Sequence, residues 1–68
     1  MKNSIKTQRK KLRLSQEELA IKASVTRQTI IAIENDKYDP SLGLAFKLAY
    51  VLQTSIETLF IWKDDQND

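Results

Sequence analysis

The sequence contains neither cysteine nor histidine. Without a thiolate or an imidazole it cannot assemble a zinc site from the usual ligands, a Cys or Ser–His nucleophile system, or a disulfide framework. Acid–base chemistry would fall to carboxylates, and Glu17, Glu18, Asp64 and Asp65 occupy cap or tail positions instead of converging on one point. No enzyme, metal or cofactor is therefore expected. Long apolar runs are also missing: stretches such as Ile30-Ile31-Ala32-Ile33 fall far short of the roughly 18 residues that a membrane span requires. The basic N-terminus has no apolar core behind it, so no secretory signal is read and a cytoplasmic location is the expectation. Glycine and proline occur once each, as Gly43 and Pro40, and no linker or repeat divides the chain.

What is present is a composition of 41% hydrophobic and 29% charged residues over 68 positions, which fits one soluble domain. A chain of that length buries only about 60% of the surface its unfolded form exposes, leaving roughly 3–5 kcal/mol from a single core. With disulfides and metals excluded, oligomerisation is the common remaining stabiliser. The net charge of +2 is unevenly placed. Lys2, Lys6, Arg9, Lys10, Lys11 and Arg13 put six positive charges and no acid into the first thirteen residues, whereas residues 63–68 sum to −2. The division expected is a basic domain over residues 1–62 and an acidic flexible tail over 63–68. Such a basic domain suits a polyanionic partner such as nucleic acid.

Apolar residues recur at three-to-four spacing nearly everywhere and period-two alternation never persists, which predicts an all-α fold, a compact bundle of five short helices. Asn3 or Ser4 can cap a first helix to about Leu12, with Ile5, Arg9 and Leu12 on one face. Ser15 with Glu18 forms a capping box for the second, whose buried stripe is Leu19, Ala20 and Ala23. Thr26 caps a third helix to about Asn35 with Ile30 and Ile33 inward. Pro40 breaks the chain before a fourth helix, capped by Ser41, running from about Leu42 to Leu52. Thr54 or Ser55 caps a fifth that carries Leu59 and Phe60, followed by Ile61 and Trp62.

The second and third helices are separated by little more than Ser24 and Val25, and the third presents Arg27 and Gln28 on its first turn. That arrangement fits a helix-turn-helix whose second helix enters the DNA major groove. The ordered series Leu-Ser-Gln-Glu-Glu-Leu-Ala (residues 14–20), Val-Thr-Arg-Gln-Thr-Ile (25–30), Ile-Glu-Asn (33–35), Pro-Ser-Leu (40–42) and Ser-Ile-Glu-x-Leu-Phe (55–60) resembles the lambda-repressor/Cro family of transcriptional regulators, also called the XRE family. The likeness runs from about residue 3 to about residue 61. It implies base contacts from Arg27, Gln28 and Ala32, a phosphate contact from Gln16, and an inward ion pair between Arg9 and Glu34. The chemistry of the base contacts agrees: Arg27 can bond guanine O6 and N7, Gln28 can bond adenine N6 and N7, and Ala32 can meet a thymine methyl. Ile31 admits two readings, an ordinary exposed side chain or a second contact to a thymine methyl. The hydroxyl of Thr26 is engaged as a cap, which leaves its methyl for DNA. Lys37 and Tyr38, in the loop after the third helix, look placed for phosphates, as do some of Lys6, Lys10 and Lys11 on the first.

The resemblance has gaps at the helix ends. Members of the family usually place glycine after the first four helices, where this chain has Arg13, Ser24, Asp36 and Gln53. A left-handed residue there costs roughly 1–2 kcal/mol without glycine, so either the turns differ slightly or the dimer compensates. Gly43 sits instead in the first turn of the fourth helix, where the expectation is that it admits a close neighbour. The leading functional expectation is a sequence-specific regulator of transcription, a repressor binding a two-fold related double-stranded operator as a homodimer. Leu59, Phe60, Ile61 and Trp62 are the candidate dimer contacts, though Trp62 could equally fold back on its own fifth helix. The alternative is a protein-interaction module, such as an antitoxin-like partner, built on the same fold.

Overall fold

The computed structural model describes residues 1–62, and the tail expected at 63–68 lies outside them. Five helices follow one another: α1 (Ile5–Lys11), α2 (Gln16–Ala23), α3 (Arg27–Glu34), α4 (Leu42–Val51) and α5 (Ile56–Leu59). The expected helical bundle holds, with one addition. Strand β1 (Lys2–Asn3) pairs antiparallel with β2 (Phe60–Ile61), Lys2 opposite Ile61 and Asn3 opposite Phe60. The fifth helix therefore stops before Phe60, whose extended backbone (φ −115°, ψ 139°) begins the ladder.

Local hydrogen bonding starts four of the helices at caps expected from the sequence, with Ser55 and not Thr54 opening the fifth. Ser15 accepts from the Glu18 N–H and Glu18 accepts from the Ser15 N–H at 2.8 Å, a complete capping box. The Ser15 N–H, and after it the Ser15 hydroxyl, holds the Glu18 carboxyl below its ordinary pKa. Thr26, Ser41 and Ser55 cap α3, α4 and α5 in the same manner, each accepting from the N–H three residues on. At α1, Ser4 holds the cap position without a side-chain cap bond. Its hydroxyl donates to the Thr58 carbonyl at 3.0 Å, and Asn3 Oδ1 takes the Ile5 N–H instead. The first helix is thereby tied to the end of α5, further secured by the Ser4 N–H on the Leu59 carbonyl at 2.8 Å.

The four helix ends that lack glycine adopt the left-handed conformation all the same, with φ of 57° at Arg13, 60° at Ser24, 61° at Asp36 and 58° at Gln53. Each makes the paired bonds of a Schellman closure. The left-handed residue donates to the carbonyl three back, and its successor (Leu14, Val25, Lys37 or Thr54) to the carbonyl five back, at 2.8–3.1 Å. Two carbonyls are satisfied per turn, and Leu14 and Val25 then pack on the core. Those gains offset the steric cost, so the turns of the family are kept without their usual residue.

Gly43 does the reverse. A Cβ built there meets nothing within 4 Å, so the expectation of a close neighbour fails. Its flexibility is a net cost within a helix. Gly43→Ala should stabilise the chain by about 0.5–1 kcal/mol, and Gln53→Gly should add a similar amount by relieving a left-handed residue. Urea melts of both single variants and the double check this, with near-additivity expected because the sites share no partners.

The core is formed by Ile5, Leu19, Ala20, Ala23, Ile30, Ile33, Ala45, Leu48, Ala49, Leu52, Leu59 and Phe60. Leu59 is fully buried and Phe60 is 8% exposed, so both belong to the interior of the single chain. The candidate dimer set is corrected accordingly. One turn of helix is too short to define a face by periodicity, and Leu59 and Phe60 belong to the buried core, where α5 packs on α4. Trp62 does not fold back on α5. It is 73% exposed, beside Ile61 at 54%.

Candidate nucleic-acid interface

Helices α2 and α3 are joined by Ser24, Val25 and Thr26, and their mutual packing is set by buried Leu19, Ala20, Ala23, Ile30 and Ile33. With Ile30 and Ile33 turned inward, the first turn of α3 presents Arg27 and Gln28 to solvent. Thr26 is also exposed. Its hydroxyl accepts from the Thr29 N–H at 3.2 Å and lies 3.1 Å from the Thr29 hydroxyl, which leaves the methyl as its outward group. Ile31 and Ala32 are half-buried along the flank of the helix.

Arg9 is buried, and the charged side chain it meets, Glu34, is buried with it. Its Nε donates to Glu34 Oε2 at 2.8 Å and its Nη2 to Glu34 Oε1 at 3.3 Å, with the two side chains 9% and 3% exposed. Arg9 Nη1 donates to the Leu14 carbonyl at 2.9 Å. This fork holds α1 against the last turn of α3 and against the turn entering α2. Gln16 extends the network, for its Nε2 donates to Glu34 Oε1 at 3.1 Å and its Oε1 accepts from Arg27 Nε at 3.4 Å. A continuous chain of polar contacts thus runs from the Leu14 carbonyl to the exposed guanidinium of Arg27. Among the described residues no buried side-chain polar atom lacks a partner.

Lys6 and Lys10 are exposed one turn apart on α1. Lys37 and Tyr38 are exposed just beyond α3, where the Lys37 N–H bonded to the Ala32 carbonyl at 2.8 Å fixes the start of the loop. Two further contacts at this loop have no counterpart in any local sequence pattern. Asn3 Nδ2 donates to the Ile33 carbonyl at 2.8 Å, and the α-ammonium of Met1 donates to both Asp36 and Asp39. Neither partner lies near the other in sequence, so no local pattern could have announced them. The Asp36 hydrogen bond, then that of Asp39, raises the pKa of the ammonium above its ordinary value of 8.0. Among the described residues no cluster of His, Cys, Asp or Glu could hold a metal ion, and no helix is long and apolar enough to cross a membrane.

A helix-turn-helix family model matches residues 5–59 of the chain. An HTH-type transcriptional regulator of Methanocaldococcus jannaschii, MJ0272, is 56% identical over 66 residues, covering 97% of this chain and 100% of that protein. The N-terminal DNA binding domain of SinR from Bacillus subtilis is 35% identical, with a TM-score of 0.76 over 90% of each chain. A crystal structure of SinR, the master regulator for biofilm formation, in complex with DNA is 36% identical with a TM-score of 0.74, over 79% of this chain and 87% of that one. The span of the family model takes in all five helices, and by these likenesses the chain belongs to the XRE-type helix-turn-helix family of transcriptional regulators.

Proposed function

We propose that the chain binds double-stranded DNA sequence-specifically as a homodimer and represses transcription from a two-fold related operator, with α3 in the major groove. The carrying observation is the first turn of α3. Arg27 and Gln28, the two side chains whose donors and acceptors match guanine and adenine edges, stand exposed there on a helix whose opposite face is locked into the core. Ala32 and Ile31 flank them for apolar contact with thymine methyls. Lys37, Tyr38, Lys6, Lys10 and the methyl of Thr26 surround this centre, where they would position the backbone without reading sequence. The second hydrogen of the Gln16 amide would reach a phosphate while the first stays on Glu34. That SinR is solved in complex with DNA supports DNA as the partner.

The second copy would dock where apolar surface is left over. Ile61 and Trp62 stand exposed, and a groove of about 290 Å³ lined in part by Pro40, Leu42, Ile56 and Phe60 opens nearby. An axis on that side leaves both α3 helices free, whereas an axis through α3 would bury them. Selection of bound duplexes from a random DNA pool tests the reading. Enrichment of two inverted half-sites about one helical turn apart is the expected result, and no enrichment over the starting pool would overturn it. Ile61→Ala with Trp62→Ala should sediment as a monomer at micromolar concentration, since each buried side chain of this size contributes about 1.5–3 kcal/mol. A variant that stays dimeric places the interface elsewhere.

A further inference from the structure

The loop after α3 carries a charge problem that base and phosphate contacts do not address. Asp36 and Asp39 bracket Lys37 and Tyr38, so two carboxylates stand where a polyanion is to be met. Both are bonded by one group. The Met1 α-ammonium donates to Asp36 Oδ1 and, at 2.6 Å, to Asp39 Oδ1. Together with Lys37 the four charges cancel, and without the ammonium the loop carries a net −1. The ammonium is delivered there by the fold. Lys2 and Asn3 are held in the ladder with Phe60 and Ile61, and Asn3 Nδ2 is fastened to the Ile33 carbonyl at 2.8 Å, in the last turn of α3. From the other side, Asp36 is fixed in its left-handed conformation by the closure onto Ile33 and Ala32. Amine and carboxylates are therefore both mounted on the recognition helix.

We propose that, where Met1 is the first residue, its α-ammonium is a positioning group for DNA contact, cancelling Asp36 and Asp39 and holding Lys37 and Tyr38 against the phosphates. This rests on the reading of that loop as part of the DNA interface. Acetylation of the amine removes the charge and the two bonds while leaving every side chain unchanged. A chain of this length is accessible to chemical synthesis with its amine free or acetylated, and both forms can be titrated at low salt against a short fluorescent duplex of random sequence. Each is compared at a temperature where circular dichroism shows it fully helical.

Acetylation should weaken binding about three- to tenfold at low salt, an effect that shrinks as salt screens the loop. In a chain carrying Asp36→Asn and Asp39→Asn the amine has no carboxylate left to cancel, and acetylation should then change affinity by less than about twofold. Equal binding of the free and acetylated chains would overturn the proposal. So would an undiminished acetylation penalty in the double variant, which would assign the loss to charge alone. Lys37→Ala on the same duplex separates this from the parent reading. A fall of about 0.9 in the salt slope places the loop at the DNA, so that a missing acetylation effect then refutes the clamp alone. An unchanged slope removes the loop from the interface and both readings fail together.

Discussion

Arg27→Ala should lower affinity for the selected operator by about 1–3 kcal/mol and flatten the preference at one base pair, while binding to random duplex changes little. Arg27 stands in the exposed first turn of α3, and its one side-chain hydrogen bond among the described residues is the long 3.4 Å contact from Nε to Gln16. The two Nη groups keep their donors for a guanine edge, with its O6 and N7 acceptors side by side. Gln16 and Glu34 brace the guanidinium from behind, so less side-chain freedom is lost when it meets a base. Arg27→Lys should not restore the preference, because an ammonium is a point charge without the planar fork. Competition titrations with operator duplexes altered one base pair at a time make the measurement. If Arg27→Ala weakens every sequence equally and lowers the salt slope, Arg27 is a phosphate contact and the base reader lies elsewhere on α3.

What could be read from the residues alone was whatever is decided within a few positions. Ser15 with Glu18, Thr26, Ser41 and Ser55 begin their helices because each cap answers an N–H three residues away, a relation that sequence displays directly. The inward faces of α2 and α3 were legible for the same reason. The left-handed turns were legible in place but not in outcome. That Arg13, Ser24, Asp36 and Gln53 accept φ near 60° depends on bonds reaching three and five residues back and, for Leu14 and Val25, on packing against the core. Pairings across the whole chain were not legible. A two-residue ladder has no period to detect, and it is this ladder that draws Phe60 out of the fifth helix and brings Met1 to Asp36. Leu59 and Phe60 looked like interface for want of those contacts. The sequence suggests a phosphate contact for Gln16, and its ties to Glu34 and Arg27 emerge only once α2 and α3 are assembled.

Glu34→Ala should be the most damaging single change in the chain, costing about 3 kcal/mol or more, because it leaves a buried guanidinium without its counter-charge. Arg9 and Glu34 are 9% and 3% exposed, and the Arg9 fork keeps only the Leu14 carbonyl once the carboxylate is gone. A domain of this size has roughly 3–5 kcal/mol in total, so the variant should be largely unfolded at room temperature. Gly43→Ala supplies a stabilised background in which a folded baseline can be recorded. Arg9→Ala in that background should also destabilise, since Glu34 then keeps only the Gln16 amide as a partner. The double variant should cost clearly less than the sum of the singles, by 1 kcal/mol or more, because the second removal takes away the charge that the first left stranded. Arg9→Met with Glu34→Leu goes further and should come close to the parent stability, as apolar replacements of buried pairs often do. Urea melts of the full cycle decide between a coupled pair and two independent residues. Simple additivity would mean that the pair does not hold α1 to α3, and the polar chain leading to Arg27 would lose its anchor.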